Sequence, residues 1–152
     1  KEDELIIGGD VKGIDYKLAK CCNPIFGDDI FGFVSTEGTI KIHRKDCPNA
    51  KHIYSRYRYR VVNARWSGKM GSKYICVLRV VGNDDIGIVT NITSIISKEK
   101  NIYMRGISID SNDGLFQGHI TVMVDDTSAL NSLIKKLKTV KGVKDVQRSS
   151  VN

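Results

Sequence analysis

The stretch Tyr74-Ile-Cys-Val-Leu-Arg-Val-Val-Gly-Asn-Asp-Asp-Ile-Gly-Ile-Val-Thr-Asn-Ile-Thr-Ser-Ile-Ile-Ser97 changes its apolar rhythm half-way, and that change decides the fold. Residues 74–81 form a continuous apolar, β-branched run suited to a buried strand. After the turn Gly82-Asn83-Asp84-Asp85, the residues Ile88, Val89, Ile92, Ile95 and Ile96 fall on one helical face, and the pattern stops at Lys98-Glu99-Lys100-Asn101. Further on, Ile102 and Met104, then Ile107 and Ile109, alternate; Asn112-Asp113-Gly114 is a hairpin signal; Phe116, Ile120, Val122 and Val124 alternate again. Asp126-Thr127-Ser128 supplies caps for a helix carrying Leu130, Leu133, Ile134 and Leu137, and Gly142 precedes a short strand over 143–148. The order is βαββαβ, which predicts a ferredoxin-like sandwich of about 75 residues.

Working upstream, Trp66-Ser67-Gly68-Lys69-Met70-Gly71-Ser72-Lys73 is small and polar and reads as a linker. The predicted organisation is a small β-rich domain over 1–66, a linker over 67–73 and the βαββαβ domain over 74–152, an α+β chain. In the first domain, residues 29–34 and 39–42 read as a hairpin around Thr36-Glu37-Gly38, and 46–52 as a short helix. A longer strand is expected over 56–66, where Arg56, Arg58 and Arg60 alternate with Tyr57, Tyr59 and Val61 to give a guanidinium face and an apolar face. Val62, Ala64 and Trp66 then fall on the arginine face, which predicts a bulge near 61–63. A domain of about 60 residues buries little surface and commonly needs a staple such as a metal.

Composition bounds the function. Among 152 residues, 41% are hydrophobic, which excludes a disordered chain. No apolar run approaches the roughly 18 residues of a membrane span, and Lys1-Glu2-Asp3-Glu4 lacks the basic and apolar regions of a signal peptide. The expectation is a cytoplasmic protein; the start at Lys rather than Met reads as a piece cut from a longer chain. The net charge of +7 is uneven: residues 41–73 hold ten basic residues against Asp46 alone, so the remainder is slightly acidic. This is a near-neutral protein with a basic stripe, made of Lys41, Arg44, Lys45, Arg56, Arg58, Arg60, Arg65 and neighbouring lysines, and a polyanion partner is the reading set against a merely solvated face.

Three of the four cysteines lie in the first half. Cys21 and Cys22, followed by His43 and Cys47 four residues apart, offer four soft ligands for zinc, and that spacing would set His43 and Cys47 on one side of a helical turn. Adjacent cysteines in an extended chain point to opposite sides, so a cluster of reduced, half-buried thiols beside a satisfied histidine stands as the alternative. A redox switch pairing Cys21 or Cys22 with Cys47 is another. Cys76, in an apolar strand, reads as a small core residue. Nothing supplies a third group or pocket for a Cys47–His43 nucleophile, so no catalytic residue and no catalytic cofactor is expected. Phosphate cradling at Asn83-Asp84-Asp85 is opposed by the two aspartates, and base stacking on the inner strands finds only Phe116. The helix start at Gly87, Ile88 and Val89 could instead hold a carboxylate, with Asn83, Asp84 and Asp85 meeting an ammonium, the two ends of a free amino acid; a plain capping turn explains the same residues.

The segments Leu18-Ala-Lys-Cys-Cys-Asn-Pro-Ile-Phe-Gly-Asp-Asp-Ile-Phe-Gly-Phe33 and Ile42-His-Arg-Lys-Asp-Cys-Pro-Asn49 closely resemble the zinc-finger, or ribosome–intersubunit, segment of the long RelA/SpoT-type proteins, which make and hydrolyse the alarmone (p)ppGpp. Asp84-Asp-Ile-Gly87-Ile-Val resembles the turn of the ACT domain that closes those proteins. One departure is Phe26, where that family usually carries proline before Gly27-Asp28. The resemblance implies a catalytically silent fragment of a GTP pyrophosphokinase, with the catalytic domains upstream. It implies zinc on Cys21, Cys22, His43 and Cys47, and docking beside an uncharged A-site tRNA on ribosomal RNA to relay starvation. It further implies that the ACT domain pairs with a second copy and takes a branched-chain amino acid.

Overall fold

Short strands dominate the first half of the computed structural model, which describes residues 5–8, 15–68 and 73–149 and divides into two units at Lys73. The predicted linker falls partly on 69–72, outside the described residues. In the first unit, strands β1 (Leu5–Ile7), β2 (Tyr16–Leu18), β3 (Ile30–Val34), β4 (Ile40–Arg44) and β5 (Val61–Trp66) form one sheet in the order β1-β5-β3-β4-β2. All neighbours are antiparallel except β2 and β4, which run parallel with Lys17 opposite Lys41 and Leu18 opposite Ile42. One face buries Leu5, Ile7, Ile30, Ile40 and Ile42; the other buries Phe31 with Ala19, Cys22, Cys47, Ala50 and Ile53. Gly32 lets these strands close up, since a Cβ there would lie 2.7 Å from Val62 Cγ2 and 2.9 Å from Ile40 Cγ2.

The hairpin at 29–42 forms as read. The long strand over 56–66 does not. Helix α1 spans Ala50–Arg56, later than the predicted 46–52, and a 3₁₀ turn over Arg58–Arg60 precedes β5. Ala50 and Ile53 are buried with Tyr54 packed beside them, and this helical spacing carries α1 through Arg56. The Tyr57 N–H then donates to the Ile53 carbonyl (2.7 Å) and the Arg60 N–H to the Tyr57 carbonyl (2.8 Å). The apparent bulge at 61–63 is the beginning of β5, so the change of parity marks an element boundary. Phe26 packs on Trp66 with ring centroids 5.7 Å apart, and Trp66 Nε1–H donates to the Asp28 carbonyl (3.0 Å), so the unusual residue of that turn has a partner in β5.

The second unit follows the βαββαβ order: β6 (Tyr74–Asn83), α2 (Ile88–Ser97), β7 (Tyr103–Asn112), β8 (Leu115–Val124), α3 (Thr127–Lys138) and β9 (Val143–Arg148), with an antiparallel sheet ordered β7-β8-β6-β9. Ile88, Ile92 and Ile96 of α2 and Leu130, Leu133 and Leu137 of α3 are buried, as are Cys76, Leu78 and Val80 of β6 and Ile120 and Val122 of β8. Cys76 is thus the core residue expected. Strand β6 alternates in burial instead of being buried throughout, because the helices cover one face of the sheet only; Ile75 on the other face is exposed. Asp126 caps α3, accepting the Ala129 N–H at 2.8 Å. No helix among the described residues is long and apolar enough to cross a membrane.

Gly82 fixes how β6 meets β9. The register slips between Val81 and Gly82, and a Cβ on Gly82 would run into the Gly142 carbonyl oxygen and lie 3.0 Å from Val143 Cα, both backbone atoms that cannot turn aside. Gly106, at the irregularity in β7, has open space. Gly82→Ala should therefore lower the stability of this unit by about 1–3 kcal/mol in denaturant unfolding, while Gly106→Ala should be neutral or stabilise by up to about 1 kcal/mol. Equal losses for the two variants would contradict the assigned register.

Candidate metal centre

The parallel pairing of β2 with β4 builds the centre. The Ala19 N–H donates to the Ile42 carbonyl (2.9 Å), which carries the pairing one residue past β2, and the Asn23 N–H then reaches back to the Ala19 carbonyl (2.9 Å). Residues 19–23 therefore form a tight turn. Cys21 and Cys22 project from it to a common point, where an extended chain would have sent them apart. His43 is on β4, and Cys47 lies in the loop beyond, held by its N–H on the Arg44 carbonyl (3.0 Å). The expected helical turn between His43 and Cys47 is thus replaced by a strand end and a loop.

The ligand atoms of Cys21, Cys22, His43 and Cys47 lie within 4.8 Å of one another. Cys21 Sγ is 3.4 Å from His43 Nδ1, 3.5 Å from Cys47 Sγ and 3.9 Å from Cys22 Sγ, while His43 Nδ1 is 4.0 Å from Cys22 Sγ and 3.9 Å from Cys47 Sγ. A tetrahedral ion with bonds of about 2.3 Å to sulfur and 2.0–2.1 Å to nitrogen needs ligand separations of roughly 3.5–3.8 Å. Five of the separations, 3.4–4.0 Å, lie near that range, so small side-chain shifts would gather the four donors on one such ion. Cys22, His43 and Cys47 are buried and Cys21 is half-buried. Burial pushes the Cys22 thiol up to about 12, against the opposing pull of the Arg44 N–H, which donates to its Sγ at 3.4 Å. Burial likewise raises Cys47. Burial, and after it the charge of Lys41, holds His43 below its usual value. Without a cation these groups stay neutral. A bound metal would displace the thiol protons and meet an imidazole already in its ligating form. A raised, buried thiol is a poor nucleophile, which removes the Cys47–His43 catalytic pair. The short Cys21–Cys47 approach suits a disulfide as well as a metal, so it does not separate those two readings.

Aromatic rings tie the centre to the basic stripe. Phe31 stacks on the His43 imidazole at 5.4 Å and 15°, Phe33 meets it edge-on at 6.5 Å, and Phe33 in turn packs on Tyr57 at 6.1 Å. The Arg60 guanidinium lies 6.0 Å from the Tyr57 ring centroid and 5.7 Å from that of Tyr59. Tyr59, expected on an apolar strand face, is 78% exposed. Its exposure follows from the 3₁₀ turn, and nothing in the alternating sequence separated that turn from a strand. Arg56, Arg58 and Arg65 are exposed, Arg60 half-buried, and Lys41 and Lys45 exposed. Arg44 leaves the stripe: it is 5% exposed, with Nε 3.5 Å from Asp46 Oδ1. Of two exposed lysines unmarked by sequence reasoning, Lys17 stands opposite Lys41 because β2 pairs with β4, and Lys20 follows just after β2.

In the second unit, the residues expected to hold an amino acid form a turn with its own internal bonds. The Asn83 N–H donates to the Gly142 carbonyl, the Asp84 N–H to the Gly114 carbonyl and the Asp85 N–H to the Asn83 carbonyl, each at 2.8 Å. Ile88 is buried in the core and its N–H donates to the Asp85 carbonyl at 3.2 Å, so one of the amides expected to be free is occupied. Gly87 starts α2 at φ 85°, and the Asp84 and Asp85 side chains are exposed. Phe116 faces the helices and is buried, which closes off base stacking on β8.

Comparison with known proteins places both units. The model of the RelA/SpoT RIS domain matches residues 5–67 and that of the ACT domain residues 70–148. The chain is 31% identical over 149 residues to the GTP pyrophosphokinase of Escherichia coli (strain K12), covering 97% of this chain and 20% of that protein. It is 30% identical over 136 residues to the bifunctional (p)ppGpp synthase/hydrolase RelA of Mycobacterium tuberculosis, covering 90% and 18%. Among solved structures, the ACT domain from GTP pyrophosphokinase of Chlorobium tepidum is 34% identical, with 51% of this chain and 99% of that chain covered at a TM-score of 0.47. The chain spans about a fifth of the length of the curated relatives it matches. It belongs to the RelA/SpoT family, of which it carries the RIS and ACT domains.

Proposed function

We propose that the chain is the regulatory region of a RelA/SpoT-type GTP pyrophosphokinase, and that its first unit, stapled by zinc, docks on ribosomal RNA beside the A-site tRNA and relays amino-acid starvation to catalytic domains in the same protein. The observation that carries the docking is the surface at the end of α1 and the 3₁₀ turn that follows, which holds Arg56, Arg58, Arg60 and exposed Tyr59. Arginines neutralise phosphates, and an exposed tyrosine ring can stack an unpaired base, the combination that single-stranded and looped RNA requires. The cytoplasm is where such a partner is met. The zinc assignment rests on three sulfurs and one imidazole nitrogen gathered within 4.8 Å of one another, a soft donor set of the kind zinc takes.

A regulatory role for the second unit is supported by β7, an exposed outer strand of ten residues with Tyr103, Met104 and Ile107 in view, which is suited to pairing edge to edge with a second copy. Binding of a branched-chain amino acid at Asn83, Asp84, Asp85, Gly87, Ile88 and Val89 has less support, because Ile88 points into the core and its amide is used.

Three outcomes test this reading. Reversing Arg56, Arg58 and Arg60 to Glu should abolish most ribosome association and flatten its salt dependence by roughly two to three in the log–log slope; unaltered co-sedimentation with ribosomes would refute the docking surface. Tyr59→Ala should weaken binding to looped RNA by about 1–3 kcal/mol and leave duplex binding unchanged, with Tyr59→Phe close to the parent. The purified chain should contain one zinc, and cobalt in its place should give the absorption of a tetrahedral sulfur-rich site. Since structural zinc is worth about 10–16 kcal/mol, as much as the whole stability of a small domain, chelation or Cys22→Ser should erase cooperative unfolding of the first unit and spare the second. Full retention of the first unit's fold in excess chelator would remove the metal.

A further inference from the structure

A groove of about 900 Å³ opens next to the centre, on the side of β2 and the β3–β4 turn. Its lining includes Lys17 of β2 and Lys20 just after it, Lys41 of β4, and the hydroxyl residues Ser35, Thr36 and Thr39 between β3 and β4. Lys17 and Lys41 are direct partners across the parallel β2–β4 pair. Like charges placed opposite each other in a sheet destabilise it, and none of the three lysines has an ion-pair partner among the described residues. Glu37 is the one acidic residue lining the groove among the described residues. A divalent ion on three thiolates and a neutral imidazole would add a single negative charge, so the groove stays net positive even when loaded. Ser35 Oγ is buried without a hydrogen-bond partner, an arrangement that is unfavourable until the hydroxyl finds one.

We propose that this groove binds a phosphate of an RNA backbone, with Lys17, Lys20 and Lys41 neutralising its charge and the hydroxyls of Ser35, Thr36 and Thr39 donating to its oxygens. The proposal rests on the RNA-docking reading and adds a second contact to it, apart from the arginine surface after α1. A phosphodiester is favoured over a compact polyphosphate because the groove is open to solvent, where a chain can pass through, and offers only three lysines, one of them offset along the chain from the Lys17–Lys41 pair.

The test uses the zinc-loaded 152-residue chain, a short single-stranded RNA of mixed sequence, GTP and inorganic pyrophosphate. The double substitution Lys17→Gln, Lys20→Gln should weaken RNA binding about tenfold and lower the salt slope by roughly 0.7, the share of one phosphate contact on a single strand. Neither lysine is a metal ligand, so the cobalt spectrum should be unchanged, and Lys17→Gln alone should raise the thermal midpoint by removing the repulsion with Lys41. A gain in stability joined to a loss of binding is an outcome a purely structural lysine would not give. Unchanged RNA affinity and slope in the double variant, with binding still lost on reversing Arg58 and Arg60, would overturn the groove while leaving the docking reading intact. If the parent chain itself failed to bind RNA, that reading would fall, and pyrophosphate would decide the groove: amide shifts confined to residues 17–20 and 35–41 support a phosphate site, and their absence refutes it. Displacement of the RNA by equimolar GTP would overturn the backbone assignment in favour of a free nucleotide.

Discussion

The pairing of β2 with β4 is the constraint on which the first unit depends. It is a contact of only three residue pairs, the one parallel contact in an otherwise antiparallel sheet. It nevertheless sets the position of everything that follows it in space. The hydrogen bond from Ala19 to Ile42 carries the pairing into the turn that holds Cys21 and Cys22, and the Arg44 N–H to Cys22 Sγ ends it. With that turn moved by one residue, the two sulfurs would no longer face His43 and Cys47 together, and the four donors would not converge. A strand this short holds little stability by itself. The side chains at its end, by gathering a metal, are what would hold it in place, so that each feature accounts for the persistence of the other.

The same constraint explains which parts of the structure could be read from the sequence. In the second unit three of the four strands have ten residues and the helices ten and twelve, long enough for the periods of two and 3.6 to be told apart, and the element order was legible there. In the first unit β1 and β2 have three residues each, fewer than two repeats of a strand, and neither announces itself among the turn residues around it. The four metal-site donors could nonetheless be named, because their chemistry is carried by residue type, whereas the turn that brings Cys21 and Cys22 to one side could not. At 56–60 the sequence misled for a definite reason. Arginine and tyrosine alternate with the period of a strand, but Ile53 and Tyr54 pack on the core with the period of a helix, and the buried contacts governed the backbone as far as Arg56. The exposed residues after it carried no hydrophobic preference that could oppose this.

That change of backbone alters the meaning of the positive charge. On a strand, Arg56, Arg58 and Arg60 would form a flat ladder with the tyrosines turned inward. On a helix end and a 3₁₀ turn they spread around a projecting Tyr59, with Arg60 set against the rings. Arg44, by contrast, leaves the surface for the interior beside the sulfur cluster, where its backbone N–H meets Cys22 and its guanidinium meets Asp46. A single stripe in sequence has become two surfaces and a buried support, and only the fold could distribute the residues among them.

Both surfaces meet at His43. On one side, Phe33 packs between the imidazole and Tyr57, on which Arg60 lies; on the other, Cys21, His43 and Lys41 line the groove beneath Lys17 and Lys20. Aromatic packing transmits a displacement poorly unless its members are held rigidly, and the imidazole is gripped by Phe31 on its face and by sulfurs at its edge. In the function proposed here, a metal at this point would therefore do more than hold a small domain together. It would fix the spacing between two phosphate-facing surfaces, and a rigid spacing is what distinguishes a folded RNA from a mere excess of negative charge, since flexible cations follow any polyanion while fixed ones match only a backbone of complementary shape.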